Sequence, residues 1–199
     1  MQEIEFLYDF GSPNAYFVHK VLPGMAAKHG ATLRYEPILL GGVFKATNNQ
    51  PPMMAFGNVA GKVAYMRKEI ERFIARYQVP FKMNPNFPVM TVALMRGAIY
   101  ARGKDWENKY IDTVFDAMWR AEEKMDDPEV MHRVLANAGL PADKIAEAIQ
   151  TQDIKGALIE TTSKAVDRGV FGAPTMFVGE EMFFGKDALD DLDWWLGKG

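Results

Sequence analysis

No cysteine occurs among the 199 residues. That absence excludes disulfides, thiolate metal sites and a cysteine nucleophile within the chain, and leaves open only thiol chemistry carried by a bound small molecule. Histidine is scarce as well. His19, His29 and His132 stand apart with no His-X-X-X-His spacing, so neither a metal centre nor a hydrolase triad is expected. No segment approaches the roughly 18 consecutive apolar residues of a membrane span. The opening Met-Gln-Glu-Ile-Glu lacks the basic stretch and apolar run of a secretion signal, and a cytoplasmic protein is expected. Excess basic charge is missing too: 23 Lys and Arg against 26 Asp and Glu give a net charge of −3. Such a surface offers no footprint for nucleic acid or for an anionic membrane, and neither is expected as a partner.

What remains is ordinary globular material, 48% hydrophobic and 25% charged, long enough for one core with an insertion or for two small lobes. Its most informative stretch is Tyr8-Asp9-Phe10-Gly11-Ser12-Pro13-Asn14-Ala15-Tyr16. Ile4, Phe6 and Tyr8 alternate with polar or opposite-face residues, which predicts a short buried strand ending at Gly11. Ser12 then reads as a helix N-cap with Pro13 at the first helical position, where its missing N–H is not needed. The helix runs to Gly30 with Tyr16 and Phe17 as core, and Thr32 to Ile38 alternates as a second strand. A helix between two strands makes them parallel.

From Leu39 to Pro52 the glycine pair Gly41-Gly42, Asn48-Asn49 and Pro51-Pro52 predict a long irregular connection with a single turn around Val43-Phe44-Lys45. Phe44, Met53, Met54 and Phe56 are expected to be partly buried there, and Asn49 is a candidate functional residue. Helical patterns follow at 59–77, 89–103, 106–120, 129–138, 143–151 and 153–167, the first two separated by an extended segment carrying Pro80, Pro85 and Pro88. His19 reads as a partly exposed helix residue. A strand at 170–178, a turn at Gly179, a partner strand at 182–185 and a last helix from Asp187, its expected N-cap, close the chain. The β-α-β and β-β-α ends each leave sheet faces uncovered, so the economical solution joins them in one four-stranded sheet. The expected fold is α/β: a thioredoxin-like four-stranded mixed sheet formed by residues 1–38 and 170–199, with helix 153–169 packed on it. Residues 39–152 form a large all-helical insertion.

Phe10-Gly11-Ser12-Pro13-Asn14-Ala15-Tyr16, Asn48-Asn49-Gln50-Pro51-Pro52, Val170-Phe171-Gly172-Ala173-Pro174-Thr175-Met176-Phe177 and Phe184-Gly185-Lys186-Asp187 together resemble the DsbA-like family. The resemblance is to its branch of 2-hydroxychromene-2-carboxylate isomerases and kappa-class glutathione transferases. It implies a glutathione cofactor held by Ser12, Asn49, Ala173, Pro174, Phe184, Gly185, Lys186 and Asp187. Ser12 would stabilise the glutathione thiolate, and a cis bond before Pro174 would present the Ala173 backbone to the cysteinyl unit. Lys186 and Asp187 would meet the γ-glutamyl end. Phe44 and Lys45 are candidates to contact an aromatic substrate, Lys45 by stabilising an enolate. Where kappa-class relatives carry a basic residue after the double proline this chain has Asn58, the nearest lysine being Lys62. The implied activity is glutathione-dependent cis-trans isomerisation of an aromatic degradation intermediate. A kappa-type transferase and a non-catalytic glutathione- or peptide-binding module are the alternatives, and a homodimer is expected by resemblance.

Overall fold

The computed structural model describes residues 2–198, so the expected outer limits at 1 and 199 fall outside it. Strand β1 (Glu3–Tyr8) is followed by helix α1 (Pro13–His29) and strand β2 (Thr32–Pro37), which pairs parallel with β1. Eight helices come next: α2 (Leu40–Thr47), α3 (Pro52–Phe56), α4 (Lys62–Tyr77), α5 (Val92–Ala101), α6 (Glu107–Trp119), α7 (Pro128–Asn137), α8 (Ala142–Ala148) and α9 (Gln152–Asp167). β3 (Thr175–Val178) and β4 (Glu181–Phe184) then form an antiparallel hairpin, and a 3-10 turn at Lys186–Ala188 leads into α10 (Leu189–Leu196). The sheet order is β2-β1-β3-β4, with β3 antiparallel to β1. This is the expected thioredoxin-like mixed sheet, and no other strand occurs among the described residues.

The period-two pattern of β1 decides what each sheet face buries. Ile4, Phe6 and Tyr8 join Met176 and Val178 in the main core, which also takes in Phe17 and Leu22 of α1 and Leu94, Phe115 and Trp119 of the helical segment. Leu7 and Phe177 point the other way, onto Val43 of α2 and Ala165 of α9. α1 starts at Ser12, whose hydroxyl accepts from the Ala15 N–H, and stops at Gly30, whose φ of 63° is left-handed and suits a residue without a Cβ.

Several expectations fail for identifiable reasons. Residues 40–47 form a full helix rather than a loop with one turn. Gly42 serves packing: a Cβ on it would lie 3.1 Å from the Thr162 methyl carbon of α9. The following segment is more exposed than expected, Met54 reaching 70%. α4 begins at Lys62, not Val59, and only Phe73 on it is fully buried. Residues 170–174 are loop rather than strand. Asp187 is not the N-cap of the last helix: it lies inside the 3-10 turn, α10 starts after Ala188 without a side-chain cap, and the Asp187 carboxylate accepts from the Lys186 ammonium instead. His19 is buried at 5% exposure, not partly exposed.

Candidate active site

The strand-to-helix turn places Ser12 where its hydroxyl donates to the Ala173 carbonyl at 3.0 Å, a contact between residues 161 apart in sequence. The same oxygen accepts from the Ala15 N–H at 3.2 Å. Ser12 is 5% exposed and sits at the start of a 17-residue helix, where unsatisfied N–H groups and the helix dipole favour negative charge. The Ala173-Pro174 peptide is cis, as the family resemblance implies; a second cis bond, Phe87-Pro88, was not foreseen.

Two further segments reach the loop that carries Ala173 and Pro174. The Asn49 amide nitrogen donates to the Phe171 carbonyl at 2.8 Å, while its oxygen accepts from the Gln50 N–H, so Asn49 ties the end of α2 to the loop before Pro174. Phe171 and Phe184 pack with ring centroids 4.4 Å apart. Phe184 also explains Gly172, where a Cβ would lie 2.8 Å from the Phe184 ring. After Gly185 comes Lys186, 5% exposed, with its ammonium on Asp187 and 5.8 Å from the Phe73 ring centre. An ammonium has three N–H donors, and the Asp187 carboxylate occupies one. Phe44 is half-buried on α2; Lys45 is exposed there and has no carboxylate partner among the described residues. Lys62 lies over the Phe56 ring at 5.4 Å.

Sequence reasoning missed the residues that fix the turn. Asp9 is buried, and its carboxylate accepts from the Gly11 N–H at 2.9 Å and the Leu40 N–H at 2.8 Å, with the Thr91 side chain packed alongside at Gly11. Burial pushes this carboxyl above the usual carboxylate range, and its hydrogen bonds pull it part of the way back. The Phe10 carbonyl accepts from the Trp119 indole N–H at 2.8 Å, and the Phe10 N–H points at the Met95 sulfur at 3.4 Å. The one available signal was a carboxylate in an otherwise apolar strand end. Read only as one of the positions alternating with Ile4, Phe6 and Tyr8, Asp9 was given no role.

A second polar cluster lies farther along α1. His19 Nδ1 meets the Tyr35 hydroxyl and Nε2 the Asp112 carboxylate, both at 2.8 Å, with the ring stacked on Phe115 at 4.8 Å. Desolvation holds the imidazole pKa below its ordinary value despite Asp112, and the bond from His19 holds Asp112 below the usual carboxylate range. A groove of about 590 Å³ opens beside this cluster, and another of about 470 Å³ lies between Tyr100 and Lys144. Neither is lined by Ser12 or by residues 170–174. No group of three or more His, Asp or Glu side chains suited to a metal ion occurs among the described residues, nor any helix long and apolar enough to cross a membrane.

A thioredoxin fold with a serine-proline turn set against a cis-proline loop defines a DsbA-type class. Residues 3–196 match the family described as DSBA-like thioredoxin domain, and the chain belongs to that family. Within it, the chain is 31% identical to a 2-hydroxychromene-2-carboxylate isomerase of Sphingobium xenophagum over 97% of both chains. It is 28% identical to glutathione S-transferase kappa 1 of Rattus norvegicus, covering 98% of this chain and 91% of that one. The structure of a 2-hydroxychromene-2-carboxylate isomerase superposes with a TM-score of 0.85 at 27% identity, covering 98% of this chain and 95% of the other. These relatives support an enzyme of the isomerase and kappa-transferase group.

Proposed function

We propose that the protein is a glutathione-dependent cis-trans isomerase of the 2-hydroxychromene-2-carboxylate isomerase type. The observation that carries this reading is the Ser12 to Ala173 contact in a chain without cysteine. It sets a hydroxyl at a helix N-terminus beside a cis-proline backbone, and the sulfur must then come from a ligand. Bound glutathione would lay its cysteinyl backbone along Ala173 and Pro174, in the manner of an added strand, with its sulfur at Ser12. The Ser12 O–H would turn from the Ala173 carbonyl to the sulfur. A free thiol pKa near 8.5 needs lowering by about one to two units for the thiolate to dominate at neutral pH. Lys186 and Asp187 would meet the γ-glutamyl end, the exposed Asp187 carboxylate pairing with its ammonium while backbone N–H groups at the start of the last helix hold its carboxylate. Phe184 and Gly185 would shape that end, and Asn49 would hold the peptide from α2.

In the reaction the thiolate sulfur gives an electron pair to the β-carbon of a conjugated double bond, and the π pair moves to the carbonyl oxygen as an enolate. The former double bond, now single, rotates. The enolate pair then re-forms the alkene and expels the thiolate, so glutathione is restored. Lys45 on α2 is the cation assigned to the enolate and Phe44 the apolar contact for an aromatic substrate. Residues 39–152 would act as a helical insertion covering the thioredoxin-like part, in a cytoplasmic homodimer.

The test is ultraviolet thiolate absorbance on mixing glutathione with wild-type and Ser12→Ala protein at neutral pH. Wild type should show the thiolate band and the variant should lose it; equal spectra would refute the assignment. A kappa-type transferase is the second reading, favoured by the 28% identity over nearly the whole chain. Turnover without glutathione consumption marks the isomerase, stoichiometric consumption the transferase.

A further inference from the structure

Asp9 is the most deeply buried carboxylate among the described residues, at 1% exposure, and no lysine or arginine pairs with it. A charge-bearing group in such a place is costly, and it persists where its bonds serve the surrounding structure. Those bonds join two segments. One oxygen takes the Gly11 N–H, one residue before Ser12, and the other takes the Leu40 N–H, the first residue of α2; the Thr91 side chain, at the start of α5, packs beside Gly11 next to the carboxylate. The Asp9 carbonyl also accepts from the Ser12 N–H at 3.0 Å. α2 has no side-chain N-cap of its own, because Leu39 stands at that position. Asp9, 31 residues upstream, supplies the acceptor that its first turn lacks.

We infer that Asp9 is a positioning residue: its carboxylate locks the start of α2 against the Ser12 turn and so fixes the spacing between the thiol and the α2 wall. The inference rests on the proposed glutathione chemistry for its catalytic consequence, though the lock itself is independent of it. α2 carries Phe44, Lys45 and, just past its end, Asn49, which is fastened to Phe171. With one end held by Asp9 and the other by Asn49, the helix has a set distance from Ser12. An error of about 1 Å in such a distance costs on the order of 100-fold in rate. The Asp9 carboxylate makes no hydrogen bond to the Ser12 hydroxyl, which is bonded to Ala15 and Ala173 instead.

The experiment compares wild type with Asp9→Asn and Thr91→Val. Asparagine keeps the volume but turns one acceptor into a donor facing a backbone N–H, so one of the two bonds is lost. Hydrogen exchange of glutathione-free protein should show residues 40–47 of Asp9→Asn exchanging about tenfold faster or more, while α1 is unchanged. The specificity constant for the electrophilic substrate should fall about 10- to 100-fold, with the apparent pKa of the bound glutathione thiol unmoved. Thr91→Val should shift the same readouts in the same direction by less, and it carries the test if Asp9→Asn does not fold. Unchanged exchange at 40–47 in the folded variants overturns the lock. A displaced thiol pKa, or full activity despite faster exchange, overturns the positioning role. If wild type neither binds glutathione nor turns over substrate, the proposed function fails while the exchange data still decide the lock.

Discussion

Two polar side chains of the α1 region, Ser12 and His19, are buried to the same extent, 5% each, yet they are held in opposite ways. His19 bonds only to side chains, Tyr35 on one nitrogen and Asp112 on the other. With Asp112 ionised, Nε2–H donates to it and Nδ1 accepts from the tyrosine hydroxyl, so the neutral ring has no valence left for a ligand. It braces α1 to β2 and α6. Ser12 bonds to main chain, the Ala15 N–H and the Ala173 carbonyl, and its own rotatable hydrogen lies on a carbonyl at the edge of a loop. Depth of burial therefore does not separate a brace from a site. The separation comes from whether a partner is exchangeable for a ligand.

The sharpest break of this comparison is Ser12→Ala. Loss of the donor should lower the specificity constant about 100- to 1,000-fold, as for removal of one oxyanion donor, while the lost N-cap costs only about 1 kcal/mol in thermal or urea unfolding. His19→Ala should do the reverse, lowering stability by about 2 to 4 kcal/mol through a cavity at Phe115 and the lost bonds to Tyr35 and Asp112. Its turnover per folded molecule should stay within about threefold, because a brace makes no contact with the reacting atoms. A large activity loss in His19→Ala at wild-type stability would erase the distinction.

The pH profiles should carry opposite signs. The folded His19 pKa lies below 6.5, so its stability contribution is present above pH 6.5 and is lost as the pH falls towards the folded value. The groups facing it are Tyr35, Asp112, Lys20 and Asp116; the Asp112 contribution is lost only below about 3.8, outside that window. The folded Asp9 pKa lies above 3.8, so stability falls as the pH rises from there through the folded value. Urea unfolding across pH 4 to 7 should lose its rising limb in His19→Gln and its falling limb in Asp9→Asn. The smallest effect expected is in Asn49→Ala, where two exposed hydrogen bonds are lost and only the one to Phe171, worth about 1 kcal/mol, ties α2 to the loop before Pro174. It should weaken glutathione binding about fivefold by calorimetry.

What the sequence made legible was local. The alternation of Ile4, Phe6 and Tyr8, the Ser12 cap, the Gly30 stop and the absence of strands between 40 and 170 all follow from neighbouring residues, and the structure shows each of them. α2 was hidden because Gly41-Gly42 is a loop signal by propensity, whereas the contact with Thr162 that makes glycine fit lies about 120 residues away. The burial of His19 was hidden for the same reason, since its partners lie 16 and 93 residues off. Asp187 was expected to cap a helix because Asp before an apolar run usually does, but a 3-10 turn intervenes. The approach of Ser12 to Ala173 could be anticipated only through family resemblance, for no local pattern spans 161 residues.

The main-chain grip on Phe10 has a consequence for how such a chain changes over generations. Trp119 and Met95 hold the peptide groups of residue 10, and the Phe10 ring is fully enclosed, so most of the grip on the bend comes from outside position 12, whose side chain adds the cap on Ala15. The bend behaves as a socket. Exchanging one atom in it, oxygen for sulfur in Ser12→Cys, should leave the framework standing and move the reactive sulfur from a borrowed molecule into the polypeptide itself. That single exchange supplies one thiol; dithiol–disulfide chemistry would need a second cysteine as well, and the chain has none.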